Sequence, residues 1–245
     1  MELRDILFKH YRVKRILKRR AMPLFLFLPI LFSAGCGSDD YKKDELIFED
    51  SFEGNLSNWI IETEVSEEAK ATIEDGKLVI DVDRGATVWL DKKLSGNISI
   101  EYDRKVVMED GKNDRLSDLN QFWMAGDPKN LNLFTRRGVF EEYDSLQLYY
   151  FGIGGNRNTT TRFRKYTGTG DKDLIHNFNE EKYMLEPNKT YQIKTIVYNG
   201  VTKVFLDGEE LFSYKDKEPY KEGYFGIRTT ESRQEIDNVK IYSLK

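Results

Sequence analysis

Between Gly154 and Tyr166 the chain reads GGNRNTTTRFRKY, which crowds three arginines, three threonines and two asparagines into thirteen residues. On a β-strand side chains alternate between faces. Asn156, Asn158, Thr160, Arg162, Arg164 and Tyr166 would then share one side, and Arg157, Thr159, Thr161, Phe163 and Lys165 the other. Guanidinium forks pair bidentately with carboxylate or sulfate and stay charged at any working pH, while amides and hydroxyls suit neutral polar groups. Aromatic rings able to cover an apolar ring face lie close in sequence: Trp123 in NQFWMA, Tyr149 and Tyr150 in SLQLYYFGI, and Tyr166 itself. With Asn120 and Gln121 they make an inventory suited to a sugar, which the arginines narrow to an anionic one. A sheet with one face simply open to water would carry the same pattern.

Upstream, NDRLSDLNQFWMA supports two readings. Asp118 could cap a turn with Arg115 paired to it, or Arg115 could join the ligand contacts. Strand alternation places Gln121 and Trp123 together on the expected ligand face and sends Asn120, Phe122 and Met124 to the core. Glu141, Glu142 and Asp144 could be the paired acids of glycoside hydrolysis, but EEYD ahead of a strand equally describes a solvated loop. The sequence holds no HExxH, no clustered histidines and a single cysteine, so zinc of the usual kinds is not expected and no cofactor is assigned.

The elements that must position these residues are strands. Period-two runs separated by turn residues recur from Leu46 to Tyr242: KLVIDV, ATVWLD, ISIEYDRKVVM, NQFWMA, SLQLYYFGI, TYQIKTIVYNG, TKVFLDGEELFSY, YFGIRTT and IDNVKIYSL. Asn199-Gly200 and Asp207-Gly208 are dipeptides that tolerate positive φ and so favour tight hairpins. So many strands in about 200 residues predict an all-β fold, a two-sheet antiparallel sandwich or jelly roll forming one domain over 46–245.

The first twenty residues carry eight Lys and Arg, and the apolar run AMPLFLFLPILF follows directly. Its twelve residues fall short of the roughly 20 that span a bilayer as a helix, so 1–35 reads as a signal peptide. Those 35 residues hold 8 of the 38 basic and 2 of the 42 acidic side chains, which leaves 30 against 40, a net charge near −10. So acidic a surface argues against nucleic acid or an anionic membrane as partner. The sole cysteine, Cys36 in SAGCGSDD, excludes an internal disulfide.

SAGC resembles the lipobox of bacterial lipoproteins, with Ser33 where that pattern usually has Leu. The resemblance implies that Cys36 is lipidated, that 36–45 is an acidic tether, and that the product is an exported, outer-membrane lipoprotein held on the membrane only by its anchor. The frame LIFEDSFEGNLSNWIIE, DGKLVIDV, NKTYQIKTIVYNGVTKVFLDGEELFSY and GYFGIRTTESRQEIDNVKIYSL resembles the concanavalin-A-like jelly rolls, which include laminin-G-type domains, keto-disaccharide hydrolases and alginate-lyase-type enzymes. NDRLSDLNQFWMAGDP and RRGVFEEYDSLQLYYFGIGGNRNTTTRFRKY resemble an exported jelly-roll family associated with polysaccharide breakdown and the oligosaccharide dehydratases and lyases that act on ulvan. What this implies is β-elimination on a uronic acid. Arg162 would neutralise the carboxylate, and His176, the one histidine after residue 35, would act as base. Tyr150 or Tyr149 would be the acid or a second base, and Arg164, Asn156, Asn158, Thr160, Tyr166, Gln121, Trp123 and Arg115 would bind the substrate. An ordinary loop histidine is the competing reading of His176. The protein is expected to be a monomer, and a glycan-binding lipoprotein without turnover or a keto-sugar glycoside hydrolase are the alternatives. The resemblance also admits a structural calcium on Glu49, Asp50 and Asp237.

Overall fold

The computed structural model describes residues 41–67 and 69–245; the segment expected to be a signal peptide, 1–35, and Cys36 lie outside the described residues. The chain runs through β1 (Lys43–Asp50), β2 (Trp59–Thr63), β3 (Lys70–Glu74), β4 (Lys77–Leu90), β5 (Leu94–Ser95), β6 (Ile98–Val106) and β7 (Leu119–Gly126). It continues through β8 (Gln147–Gly154), β9 (Thr160–Thr167), β10 (Lys172–Phe178), β11 (Thr190–Tyr198), β12 (Val201–Leu206), β13 (Glu209–Lys215) and β14 (Glu222–Leu244). Every named pairing is antiparallel.

Two long strands join the layers. β4 merges KLVIDV and ATVWLD, and β14 merges YFGIRTT and IDNVKIYSL, with bulges where Glu231 and Asn238 take positive φ of 44° and 54°. A bulge adds an unpaired residue and bends its strand, so a single β14 can serve both sheets. The front layer runs β10-β9-β8-β7, then the first part of β14, the second part of β4, and β2. The back layer runs β13-β12-β11-β6 and the second part of β14, flanked by β1 and the first part of β4 with β3. The expected turns form, with φ of 50° and 78° at Asn199-Gly200 and 53° and 85° at Asp207-Gly208. β1 starts at Lys43, opposite Leu244, so pairing begins inside the segment expected to be tether.

The core lies between the layers. Trp123, Tyr149, Phe151 and Phe163 project inward from the front, Ile193, Val204 and Phe212 from the back. The Trp123 ring stacks on Tyr149 at 5.6 Å and on Phe163 at 5.6 Å. Such aromatic pairs add roughly 0.5–1.5 kcal/mol each beyond the area they bury.

A second apolar cluster lies on the outside of the front layer. Trp89, Phe122, Leu148, Tyr150 and Tyr166 are covered there by Leu133, Tyr143 and Leu146, with Phe134 and Phe140 packed alongside. The cover is the segment 127–146, which contains a short 3-10 helix, Phe140–Ser145. Arg136 staples it to itself, donating to Leu133 O at 3.0 Å and pairing with Asp127 at 2.7 Å.

Candidate functional site

Directly paired residues of antiparallel strands point to the same face, so the register lays out the front layer's outer surface in rows. One row crosses from edge to edge as Asn177, Arg162, Gly152, Asn120, Arg228, Thr87 and Glu62. The row beside it reads Leu174, Arg164, Tyr150, Phe122, Gly226, Trp89 and Ile60. A polar row therefore runs alongside an aromatic one across the whole sheet. The cover segment lies over the β14-β4-β2 half and reaches Phe122, Tyr150 and Tyr166 beyond it: Gly138 O accepts from Arg228 Nη1 at 2.7 Å, and Glu62 accepts from Arg136 N, Tyr143 OH and Trp89 Nε1 at 2.8 Å each. Gly138 is required there, since a Cβ would stand 2.5 Å from Glu64 N and its φ is 83°.

The β7-to-β10 half presents the groups singled out by chemistry. Arg162 donates from Nε to Asn177 Oδ1 at 2.8 Å, and the Arg164 guanidinium stands 5.7 Å from the centre of the Tyr150 ring. Among the described residues neither arginine is in an ion pair, and both are only partly buried. Lys172, opposite Tyr166, adds a third cation, bound to Asp144 at 2.6 Å. Gly152 leaves a gap in the polar row into which Tyr150 leans, its hydroxyl donating to Asn120 Oδ1 at 3.0 Å. A Cβ on Gly152 would fall 2.0 Å from that hydroxyl. Burial, reinforced by the charges of Tyr166 and Asp118, pushes the Tyr150 phenol well up, against the opposing pull of Arg164 and Arg228. Tyr150 thus holds its proton and can donate it. Burial raises Tyr166 to about 12 against the pull of Arg164.

From behind the sheet, Arg104 fixes the two central positions of the polar row. It is fully buried and donates to Asn120 O at 2.7 Å, Arg228 O at 2.8 Å and Gln234 Oε1 at 2.6 Å. Burial lowers its pKa to about 10. Arg228 is likewise buried, its guanidinium 4.8 Å from the Phe140 ring centre and 5.1 Å from that of Tyr143. No carboxylate pairs with either guanidinium among the described residues.

Several expectations need correction. His176 faces the opposite side of the sheet from Arg162 and Arg164: a register shift in β10 sets it against Phe163, its ring stacks on Phe163 and Phe212, and Nε2 lies 3.0 Å from Ser213 O. Gln121, Trp123 and Tyr149 point into the intersheet core, so the faces of β7 are the reverse of those expected and Asn120 and Phe122 lie outside. Gln121 bonds Tyr102 and Thr195 there, and Tyr149 donates to Asp216 at 2.5 Å. The strip is shorter than predicted. Asn156, Arg157 and Asn158 take φ of 53°, 59° and 60° in a tight turn, and the strand begins only at Thr160, which is buried. Asn158 exchanges two hydrogen bonds with the Leu185 backbone. Tyr166 is buried under the cover, and Arg115 is held by Asp118 at 2.6 Å and by Glu231 O at 2.8 Å, which is the turn reading. Glu142 pairs with Arg137, and Asp144 with Lys172.

The calcium grouping does not form. Asp50 accepts from Phe52 N and Trp59 Nε1, Glu49 pairs with Lys240, and Asp237 accepts from Asn238 N. Among the described residues no group of three or more His, Cys, Asp or Glu could hold a metal ion.

A two-sheet antiparallel sandwich of this kind, with one sheet face covered except toward its β9-β10 edge, defines an all-β jelly-roll protein. The chain belongs to the family described as Domain of unknown function (DUF6250), whose profile matches residues 80–239. Its fold is similar to a protein of unknown function with a galectin-like fold from Bacillus subtilis, at 14% identity and a TM-score of 0.67 over 83% of this chain and 98% of that one. It is also similar to the carbohydrate-binding module CBM66 from Bacillus subtilis, at 17% identity and a TM-score of 0.53 over 77% and 98%. A third likeness is an endo-beta-1,3-glucanase from Pyrococcus furiosus, at 13% identity and a TM-score of 0.56 over 82% and 95%. At such identities the likeness is one of fold. No curated protein matches the chain.

Proposed function

We propose that this protein binds an acidic oligosaccharide across the uncovered β9-β10 edge of the front layer. The sugar's carboxylate or sulfate would meet Arg162 and Arg164, its hydroxyls Asn177, and a ring face the small exposed edge of Tyr150. The observation that carries this reading is the pair of adjacent rows, one polar and one aromatic, with two partly exposed arginines that have no carboxylate partner among the described residues. Paired guanidinium–carboxylate bonds are among the strong hydrogen bonds, and a local cationic patch acts at short range even on an acidic chain because salt screens exposed charges beyond about 10 Å. Similarity of fold to a carbohydrate-binding module and a glucanase is consistent with a glycan ligand.

Elimination on a uronic acid such as those of ulvan would need, beside this site, a base on the same face. His176 is turned away, and Tyr150 keeps its proton, so Tyr150 fits the part of acid alone. Binding without turnover is therefore the reading favoured here. Delivery as an exported lipoprotein anchored through Cys36 belongs to the same proposal, since it would put the site where extracellular polysaccharide is met.

The test is co-sedimentation with a panel of insoluble or cross-linked polysaccharides, acidic and neutral, while the ultraviolet absorbance of unsaturated uronate is followed. Retention on the acidic members with flat absorbance supports binding alone; rising absorbance restores elimination. Retention on none of the acidic members refutes the proposal.

A further inference from the structure

The cover on the front layer is longer than its connection needs. β7 and β8 pair antiparallel as far as Gly126 and Gln147, so a two-residue turn could join them, yet the twenty residues 127–146 intervene. Connections beyond about 12–15 residues with no strand of their own are uncommon in compact domains and usually serve a binding or catalytic face. This one is stapled to itself. Arg136 donates within it to Asp127 at 2.7 Å, Leu133 O at 3.0 Å, Thr135 Oγ1 at 3.1 Å and Ser145 Oγ at 3.0 Å, and Arg137 holds Glu142. It is fixed to the sheet by Arg136 N and Tyr143 OH on Glu62, by Arg228 on Gly138 O, and by Lys172 on Asp144. A segment so built can lift as one body about Gly126 and Gln147.

What lies beneath it is poorly matched to it. Arg228 is 1% exposed and has no carboxylate paired to it among the described residues, although a guanidinium keeps its charge. Its acceptors are neutral: Nη1 donates to Gly138 O at 2.7 Å and Thr87 Oγ1 at 3.1 Å, and Nη2 reaches only Thr230 Oγ1 at 3.4 Å. Nε is buried with no partner, and so is the Tyr166 hydroxyl, which also lies under the cover. Burying a cation without a counter-charge is costly, and each orphaned donor adds to that cost. The edge formed by Nε and Nη2 is one that a carboxylate grips with two parallel hydrogen bonds, and it is the edge left unfilled.

Lifting the cover would join the two rows into one groove. Arg162, Gly152, Asn120 and Arg228 stand in register on successive strands, so the two arginines are three strand spacings apart, about 14 Å. Tyr150, Phe122 and Trp89 run alongside as ring platforms. A short acid at the β9-β10 edge meets Arg162 and Arg164 alone, whereas a longer one can carry a further acidic group to Arg228. Two strands beyond Arg228 the row ends at the carboxylate of Glu62, which would repel another.

We propose that Arg228 is a second anion subsite, taking a further carboxylate or sulfate of the acidic oligosaccharide, and that the ligand enters it as the 127–146 cover lifts. The subsite rests on the acidic-glycan reading above and adds to it a dependence on ligand length.

The experiment measures affinity and hydrogen exchange of the full chain with uronic-acid oligomers of two and six residues, prepared from polygalacturonate and from alginate. The six-residue form should bind more tightly and raise exchange within 127–146, above all at Arg136 N, whose acceptor Glu62 belongs to the sheet. The two-residue form should leave the cover protected. Arg228→Gln, which keeps hydrogen-bond donors and removes the charge, should weaken the six-residue form about ten- to hundredfold, the worth of one charged hydrogen bond, and leave the two-residue form unchanged. Exchange in the wild type gives a reading that does not depend on how well this variant folds. Six-residue oligomers that bind no tighter than two-residue ones, or that leave exchange at 127–146 unaltered, would overturn the subsite and leave the Arg162 site standing. Binding of neither length would refute the acidic-glycan reading and the subsite with it.

Discussion

Glu62 gives the sharpest handle on the cover segment. Its carboxylate is 5% exposed and accepts three hydrogen bonds of 2.8 Å, two at Oε2 from Trp89 Nε1 and Tyr143 OH and one at Oε1 from Arg136 N. Trp89 belongs to the sheet and the other two donors to the cover, so Glu62 ties the cover to the sheet. Glu62→Gln leaves one acceptor oxygen and an amino group, and whichever way the amide turns, at least one donor faces another donor. One buried donor without an acceptor costs about 1–3 kcal/mol. Glu62→Ala abandons all three. If the cover lifts, Arg136 N and Tyr143 OH regain water and only Trp89 Nε1 stays orphaned; if it does not, all three are. At that cost per donor the loss should lie between about 1 kcal/mol, with one donor orphaned, and about 9 kcal/mol, with three. Urea unfolding followed by tryptophan fluorescence measures it, and limited proteolysis should show new cleavage within 127–146 in Glu62→Ala. A loss below about 1 kcal/mol for Glu62→Ala, or an unchanged digestion pattern, would refute the clamp.

Other outcomes follow from the same geometry. Gly152→Ala places a methyl where the Tyr150 hydroxyl sits, so it should cost about 1–3 kcal/mol in chemical denaturation and weaken acidic-glycan binding; wild-type affinity would show that Tyr150 makes no ligand contact. His176→Ala should lower stability by removing the rings' stacking partner, by about 1–2 kcal/mol, with glycan affinity unchanged; a selective loss of affinity would return His176 to the site. Burial would raise Asp114, Asp127 and Asp216, but hydrogen bonds from Arg233, from Lys129 N and Arg136, and from Lys165 and Tyr149 hold each below the usual carboxylate range. Groups held lower in the folded than in the unfolded chain add stability above the unfolded value, near pH 4, and lose it as pH falls through the folded one. The urea midpoint should hold between about pH 7 and 5 and fall below about pH 4, and a midpoint that rises on acidification contradicts this.

Much of the fold was legible because alternation and turn chemistry are local. The nine runs marked by period two coincide with β4, β6, β7, β8, β11, β12, β13 and β14, and both hairpin dipeptides turn as their positive φ requires. Their merging was not legible, since a bulge at Glu231 or Asn238 looks like a break in alternation. β9 was found through its arginines, and the pairing of Arg162 with Arg164 on one face is correct. The faces of β7 could not be assigned, because both are buried: Gln121 and Trp123 lie under the back layer, Asn120 and Phe122 under the cover and beside Tyr150. The alternation rule reads a polar residue as outward, and Gln121 in the core breaks it through its bonds to Tyr102 and Thr195. His176 was misplaced by the one-residue shift in β10, which no local pattern announces. Lys172 and the buried Arg228 were missed because their place in the rows depends on long-range register. The two residues of GIRTT and GDKD that could have drawn notice carry only charge as a signal.

The most direct measurement is the affinity of one defined uronic-acid oligomer, and of the same oligomer with its carboxyls reduced to alcohols, for the wild type and for Arg162→Ala/Arg164→Ala. A charged hydrogen bond of about 1.5–3 kcal/mol per arginine corresponds to at least about a hundredfold loss on the acidic oligomer in the double variant. The neutral oligomer should bind weakly to both proteins and the salt dependence of the wild type should vanish in the variant. Equal affinity of the two proteins for the acidic oligomer would contradict the account.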